Sequence, residues 1–164
     1  LFFANFIFHK KIIMKNRSLV FALILLITVS IVNAIPHQLH KRTTSFGACS
    51  NVPPDTPVLS VTLSPDPVVQ ESTDTFSVSG TLKQDITDSY NLYIAFVDDN
   101  GNIISSDIVD ICKEVTCPVK AGTPYSTTQN VYVPSFSGTT YIVVGIANGI
   151  GTSANVIACT IATA

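Results

Sequence analysis

The sequence lacks several side chains on which most catalytic sites depend. It has no tryptophan, and neither histidine nor arginine occurs after residue 43 of its 164 residues. The part after residue 43 therefore cannot build a Ser-His-Asp or Cys-His nucleophile, nor supply the imidazole ligands of most catalytic zinc sites. We therefore expect a protein that is not an enzyme, with no cofactor and no bound metal.

Charged residues are also scarce, at 12%, and they are unevenly distributed. Six of the nine basic residues precede residue 43, whereas all eleven acidic residues follow it. From Thr43 onward, three lysines and eleven acidic residues give a formal charge of −8. A body of this charge is repelled by the phosphate backbone, so we exclude nucleic acid as a partner.

The N-terminal part has the pattern of a targeting segment. The basic stretch Met14–Arg17 precedes an apolar run, Ser18–Val32, whose length as a helix is about 22 Å, less than the ~30 Å hydrocarbon core of a bilayer. Small residues at a cleavage position follow in Val32-Asn33-Ala34. This pattern predicts a signal peptide over residues 14–34 and an upstream extension over residues 1–13 that is absent from the mature protein. The alternative is a longer membrane anchor.

The dibasic pair Lys41-Arg42 follows shortly after this cleavage position. It indicates a short propeptide over residues 35–42, and the alternative is a polar, disordered N-terminus. Either arrangement places the protein in the secretory pathway, which leads outside the cell or to a vacuolar or lysosome-like lumen. Because this pathway is oxidising, we expect disulfides.

The region 43–164 is typical of an all-β domain. Apolar and polar residues alternate in several short segments, and turn formers such as Asn100-Gly101 separate them. No segment shows a helical apolar period with caps. About seven strands in some 120 residues predict an immunoglobulin-like β-sandwich of two antiparallel sheets. The predicted strands are Val58–Leu63, Thr75–Leu82, Tyr90–Val97, Ile103–Val109, Tyr125–Val133, Thr140–Ala147 and Asn155–Ala162.

All four cysteines lie within this domain, and they allow three pairings. Cys112 and Cys117 are five residues apart with a segment that can turn between them, so a local bridge closes easily. This pairing leaves Cys49 with Cys159, which would tie the two ends of the domain together. A four-cysteine zinc site is the alternative, but only one of the spacings fits paired zinc knuckles.

Two stretches resemble the ML family of secreted lipid-recognition domains. The segment Cys112–Tyr125, in which Pro118-Val119 follows the second cysteine, is similar to the short disulfide loop of that family. The strand after Cys49 and the final strand with Cys159 match its opening strand and closing cysteine. The resemblance covers residues 46–164. The family includes fungal phosphatidylglycerol/phosphatidylinositol transfer proteins and the sterol-binding protein of Niemann–Pick type C disease.

The sequence also departs from the family pattern. A further disulfide that some members carry near the first strand is absent, since Pro65–Gln70 contains no cysteine. The tryptophan that some sterol-binding members place near the pocket is absent too, which weakens the assignment of a sterol.

The resemblance implies a lipid carrier that holds one phospholipid or sterol in an apolar cavity between the sheets. Such a cavity needs apolar walls and a few polar groups at its mouth. The residues that we expect to point inward and line it are Val61, Phe76, Val78, Leu92, Ile94, Phe96, Val131, Val133, Val143 and Ile157. Ordinary core packing is the alternative for each of them.

The mouth of the cavity has its own candidate residues. Phe136, an aromatic residue in a turn, is expected to gate the opening or to enter a membrane surface. Tyr125 and Tyr141 are expected to place hydroxyl groups near a lipid head group; the alternative is that these aromatic residues close the end of the core. Lys113 and Lys120 flank the short disulfide loop and would attract an anionic phosphate. We expect a monomer that contacts membranes transiently; the alternative is an interaction module with a filled core and an acidic binding surface.

Overall fold

The computed structural model describes residues 43–149 and 154–164. The predicted extension, signal peptide and propeptide over residues 1–42 lie outside the described residues. Within those ranges, no helix is long and apolar enough to span a membrane. The described elements are β1 (Gly47–Ala48), β2 (Ser60–Ser64), β3 (Thr73–Thr81), β4 (Asn91–Asp98), β5 (Ile103–Asp110), α1 (Ile111–Glu114), β6 (Pro124–Tyr132), β7 (Thr140–Asn148) and β8 (Asn155–Thr163).

The strands form two antiparallel sheets, which confirms the predicted all-β class. One sheet has the order β1-β8-β7-β4-β5, and the other has the order β2-β3-β6. The seven predicted strands correspond to β2 through β8, with ends that differ by at most two residues. Strand β1 and helix α1 were not predicted, because segments of two and four residues carry too little periodicity.

The core lies between the inner faces of the two sheets. Alternate residues of β3 and β4 are fully buried, as period-two patterning requires. Phe76 of β3 and Phe96 of β4 meet across the sheets, with ring centroids 6.3 Å apart and ring planes at 87°. This edge-to-face contact is a favoured aromatic geometry, and it joins the two layers at the centre of the sandwich.

Two disulfides join the cysteines in the pairing that the spacing favoured. Cys49 is bonded to Cys159, with their Cα atoms 5.8 Å apart, and Cys112 is bonded to Cys117, with a Cα separation of 5.4 Å. The first fastens the segment after β1 to β8. The second closes the loop between α1 and β6. All four cysteines are therefore engaged with one another and not with zinc.

The hairpin between β4 and β5 turns at Asn100-Gly101, as predicted. Gly101 has a φ of 84°, which glycine adopts without strain. The Asp98 carboxylate accepts hydrogen bonds from the backbone N–H groups of Asn100 and Asn102 and from the Asn102 side chain. These bonds, led by the one from the Asn102 side chain, lower the pKa of Asp98.

Candidate functional site

The space between the sheets collects most of the residues expected to line a cavity. Nine of the ten predicted inward-pointing residues are buried in one continuous apolar cluster. Phe76, Phe96 and Val133 are completely inaccessible to solvent. The nine residues are Val61, Phe76, Val78, Leu92, Ile94, Phe96, Val131, Val133 and Ile157.

The expected inward orientation of Val143 is wrong. Along β7, Ile142 and Val144 are fully buried, whereas Tyr141 and Val143 between them are only half-buried. Because successive side chains of a strand point to opposite faces, Val143 and Tyr141 lie on the outer face of the sheet. Sequence reasoning missed Ile142, Val144 and Ile146, because β7 is apolar at both alternating sets of positions and its pattern identifies no face.

One end of the sandwich carries the short disulfide loop and a cavity of about 420 Å³. We call it the loop-end cavity; its walls include Val115, Thr116, Pro118, Val119, Pro124 and Tyr125. The loop between the two cysteines and the first residues of β6 therefore form this cavity together. Its walls are mixed, because Lys120, Thr123 and Ser126 also line it; such a surface can contact both hydrocarbon and a polar group.

Tyr125 connects the loop-end cavity with the core. Its side chain lies in the wall of the cavity and also belongs to the buried apolar cluster. The position of Gly80 brings the ring close to β3, since a Cβ atom placed there would lie 3.5 Å from Cε1 of Tyr125. A larger residue at position 80 would therefore crowd the ring and Leu59 beside it.

The hydroxyl of Tyr125 is buried without a hydrogen-bond partner. The residue is only 7% exposed, and burial raises the pKa of its phenol well above the ordinary value. Buried polar groups are nearly always hydrogen-bonded, because an unpaired one costs about 1–3 kcal/mol. This hydroxyl is therefore a neutral donor and acceptor, enclosed next to Gly80, whose hydrogen-bonding capacity is unmet.

The opposite end carries a larger cavity, of about 580 Å³, which we call the far-end cavity. Its walls include Thr44, Val68, Gln70, Phe136 and Thr163. Phe136 is half-buried and packs against the core, and its backbone N–H donates to Oε1 of Gln70 at 3.0 Å. The predicted mouth residue thus lies at an opening, but at the end away from the disulfide loop.

Both lysines beside the short disulfide loop contact carboxylates. Nζ of Lys120 lies 2.7 Å from Oδ2 of Asp85, and Nζ of Lys113 lies 3.8 Å from Oδ2 of Asp110. The hydrogen bond from Lys120, with a second from the Ala121 N–H, lowers the pKa of Asp85. Each positive charge here is thus partly neutralised, so an anionic head group gains less from these lysines than the sequence indicated.

Comparison with known proteins agrees with this architecture. A curated relative is 33% identical over 89 residues; it is named as a putative phosphatidylglycerol/phosphatidylinositol transfer protein of Dictyostelium discoideum. The match covers 53% of this chain and 61% of that relative, so it spans less than two thirds of the relative's length.

Two solved structures match most of the described chain to different extents. A Niemann-Pick type C2 protein from the Japanese carpenter ant superposes with a TM-score of 0.56 at 19% identity, covering 73% of this chain and 96% of that one. Chicken MD-1, solved in complex with lipid IVa, gives a TM-score of 0.49 at 14% identity, covering 72% and 86% of the two chains. The ant protein supports the sandwich fold.

The family itself is identified by a match over the whole β domain. The model of the ML domain matches residues 43–164, which is every residue from the predicted processing site onward. Proteins of this family are non-enzymatic lipid-binding domains, which confirms the expectation that the chain is not an enzyme. On the evidence of its two sheets, its paired cysteines and this match, the chain belongs to the ML domain family.

Proposed function

We propose that this protein is a secreted carrier that binds one phospholipid or sterol between its two sheets. The apolar tail would occupy the inner faces, among side chains such as Phe76, Phe96 and Val144. The polar end would lie in the loop-end cavity beside Tyr125. Family membership and the name of the Dictyostelium relative support a lipid as the ligand.

The observation that carries this proposal is the unpaired hydroxyl of Tyr125. The Tyr125 side chain lies in the wall of the loop-end cavity, and its hydroxyl is enclosed behind that wall, beside Gly80. We infer that a small movement of the ring lets the polar part of an amphipathic ligand reach this hydroxyl. A hydrogen bond from the ligand would satisfy this hydroxyl, while each buried CH₂ of the tail contributes about 0.8 kcal/mol. Affinity therefore comes from the tail, and orientation comes from Tyr125.

A lipid tail needs space that the inner faces must provide by moving apart. The side chains between the sheets are in contact, and the Phe76 and Phe96 rings meet edge to face. Both rings are held by apolar contacts, without hydrogen bonds that would resist separation. We infer that a tail entering past Tyr125 replaces these contacts with equivalent apolar ones.

The test of this function is lipid extraction from the full chain after secretion from a eukaryotic host. Mass spectrometry of the organic extract should yield one phospholipid or sterol species at a molar ratio near one. Protein stripped of lipid should then take up fluorescent phospholipid from mixed liposomes. A bare polypeptide that takes up no lipid would contradict the proposal.

The second candidate function is an interaction module with a filled core, and the complete burial of Phe76 and Phe96 favours it. Phe96→Ala separates the two. In a permanently filled core it lowers the free energy of unfolding by about 3–5 kcal/mol, with no lipid dependence. In a carrier, added lipid restores much of that loss, because the ligand fills the space that the ring left.

A further inference from the structure

Strand β5 is an edge strand with an apolar surface. It pairs with β4 on one side, and no strand of the described residues pairs with its other side. Three of the most exposed large apolar side chains lie on it: Ile103 at 66%, Ile104 at 40% and Ile108 at 46%. An exposed apolar edge offers both unpaired backbone groups and side-chain contacts to another strand.

One edge of the other sheet, formed by β2, is polar. Strand β2 is also an edge strand, but its outward residues are Ser60, Thr62 and Ser64. The outer faces of the two sheets differ in the same way. Next to β2, strand β3 presents serine and threonine. Next to β5, strand β4 presents Tyr93, which lies opposite Ile108. Of these two edges, only β5 exposes apolar side chains of the kind that a binding partner buries.

The backbone hydrogen bonds identify which groups of β5 point outward. Ile111, opposite Tyr90 in the register of β4 and β5, donates its N–H to the Tyr90 carbonyl, so this position belongs to the hydrogen-bonded phase of the ladder. Because such pairs alternate with non-bonded ones along an antiparallel ladder, Ser106 and Ile108 direct their N–H and C=O groups away from β4. A new strand must therefore pair with the even-numbered residues of β5.

We propose that β5 pairs with β5 of a second copy of this chain, antiparallel about a two-fold axis at Ser106. In this register Ser106 lies opposite Ser106 of the partner subunit. The apolar residues lie opposite one another, Ile104 with Ile108 and Ile103 with Val109. The carboxylate of Asp107 then lies opposite the hydroxyl of Ser105. No charge faces a like charge.

The neighbouring registers are less favourable, because they misalign backbone groups, bring two carboxylates together or set a carboxylate opposite an apolar side chain. A shift by one residue in one strand pairs even-numbered with odd-numbered residues, which misaligns the outward backbone groups. A two-fold axis at Asp107 sets two carboxylates directly opposite each other, which destabilises a strand pair. A two-fold axis at Ser105 sets Asp107 opposite Ile103. The self-complementary register at Ser106 is what makes a second copy the best occupant of this edge.

The dimer is expected to be reversible. A ladder of this length buries less surface than a permanent dimer requires, and the β-bulge that leaves Ile104 without a partner in β4 limits its length. Each copy also carries a formal charge of −8 from Thr43 onward. Salt screens this repulsion, so dimerisation should strengthen as ionic strength rises. This proposal replaces the expectation of a monomer and is independent of lipid binding.

Sedimentation velocity of the full secreted chain tests the dimer. We expect a concentration-dependent shift from monomer to dimer, and Ile108→Lys should weaken it by about tenfold or more. The matched control is Thr62→Lys, which adds the same charge to an exposed site on the other edge strand and should leave dimerisation unchanged. A wild-type chain that stays monomeric at every concentration, or equal effects of the two variants, would overturn the proposal.

The register is tested by cross-linking under mild oxidation. Cysteines at Ser106→Cys would face each other within the Cα separation that a disulfide accepts, about 4.4–6.8 Å, so this variant should form a covalent dimer. Ile108→Cys should not, because residue 108 faces residue 104 of the partner subunit. Peptide mapping confirms that the two native disulfides are retained. Covalent dimers of Ile108→Cys but not of Ser106→Cys would refute the register.

Discussion

The two ends of the sandwich differ in what they offer a ligand. The far-end cavity is the larger, about 580 Å³ against about 420 Å³. Two polar groups at this end are engaged within the protein: Gln70 of its wall accepts from the Phe136 N–H, and the neighbouring Asp66 accepts from the backbone N–H of Thr44. The loop-end cavity instead has Tyr125, whose buried hydroxyl lacks a partner. We therefore propose that unmet hydrogen-bonding capacity, and not volume, marks the end that receives a head group.

One further buried hydroxyl without a partner belongs to Thr140, at the start of β7. Its residue is 1% exposed, and it is not part of the wall of the far-end cavity in the described residues. Tyr125, by contrast, is itself a wall residue of the loop-end cavity, and the difference between the two ends rests on this.

Removing each disulfide is expected to produce the largest difference between the two ends. On the chain-entropy model, replacing Cys49 and Cys159 by serine, which opens a separation of 110 residues, costs about 4–5 kcal/mol of unfolding free energy. Replacing Cys112 and Cys117, which are 5 residues apart, costs about 2 kcal/mol. The smaller loss should nevertheless damage lipid uptake more, because this bridge shapes the loop-end cavity.

Chemical denaturation and fluorescent lipid uptake measure the two effects separately. Uptake is compared under conditions where both variants remain folded. If uptake falls in proportion to stability in both variants, the short disulfide loop has no special part in binding.

Val144→Ala and Val143→Ala sharpen the distinction between the inner and outer faces of β7. The first shortens a fully buried side chain and should lower the free energy of unfolding by about 2 kcal/mol. The second shortens a half-buried side chain on the outer face and should cost clearly less. Only Val144→Ala should alter lipid affinity. Equal effects on affinity would show that the ligand does not occupy the space between the sheets.

Tyr125→Phe tests the hydroxyl at the loop end. Because one hydrogen bond contributes about 0.5–1.5 kcal/mol, lipid affinity should fall roughly two- to tenfold. Stability without lipid should stay equal or rise, since an unpaired buried hydroxyl is removed. Tyr132→Phe is the matched control, because Tyr132 is 58% exposed on the outer side of β6. Isothermal titration with a soluble short-chain phospholipid measures the lipid affinity of both variants.

Gln70→Ala at the far end is expected to have the smallest effect. It removes the acceptor for an exposed Phe136 N–H, which water replaces, so stability should change by less than about 0.5 kcal/mol. Lipid affinity should not change. A loss of affinity comparable to that of Tyr125→Phe would place the head group at the far end.

The strands were predictable because alternation and turn residues are local signals. Thr75–Leu82 and the hairpin at Asn100-Gly101 follow from residues close together in the sequence. The face of β7 was not predictable, since Tyr141 through Ala147 is apolar at nearly every position. Its orientation depends on its pairing with β4, which is distant in the chain, and on the sheet that packs against it.

The site was less predictable than the fold. A cavity depends on which loops converge, and the approach of Tyr125 to Gly80 and Leu59 joins segments more than 40 residues apart. Apolar alternation identifies inner faces but does not distinguish a lined cavity from a filled core. The unpaired state of the Tyr125 hydroxyl likewise appears only when its surroundings are known.

Photo-cross-linking with a phospholipid whose head group carries a diazirine tests the central claim most directly. The account predicts that the label attaches within residues 111–126, around the short disulfide loop and Tyr125. A second phospholipid, labelled at the end of its tail, should mark inner-face peptides of β3, β4 or β7. Head-group label concentrated in residues 65–70 and 134–138, or spread over the outer faces, would contradict the account.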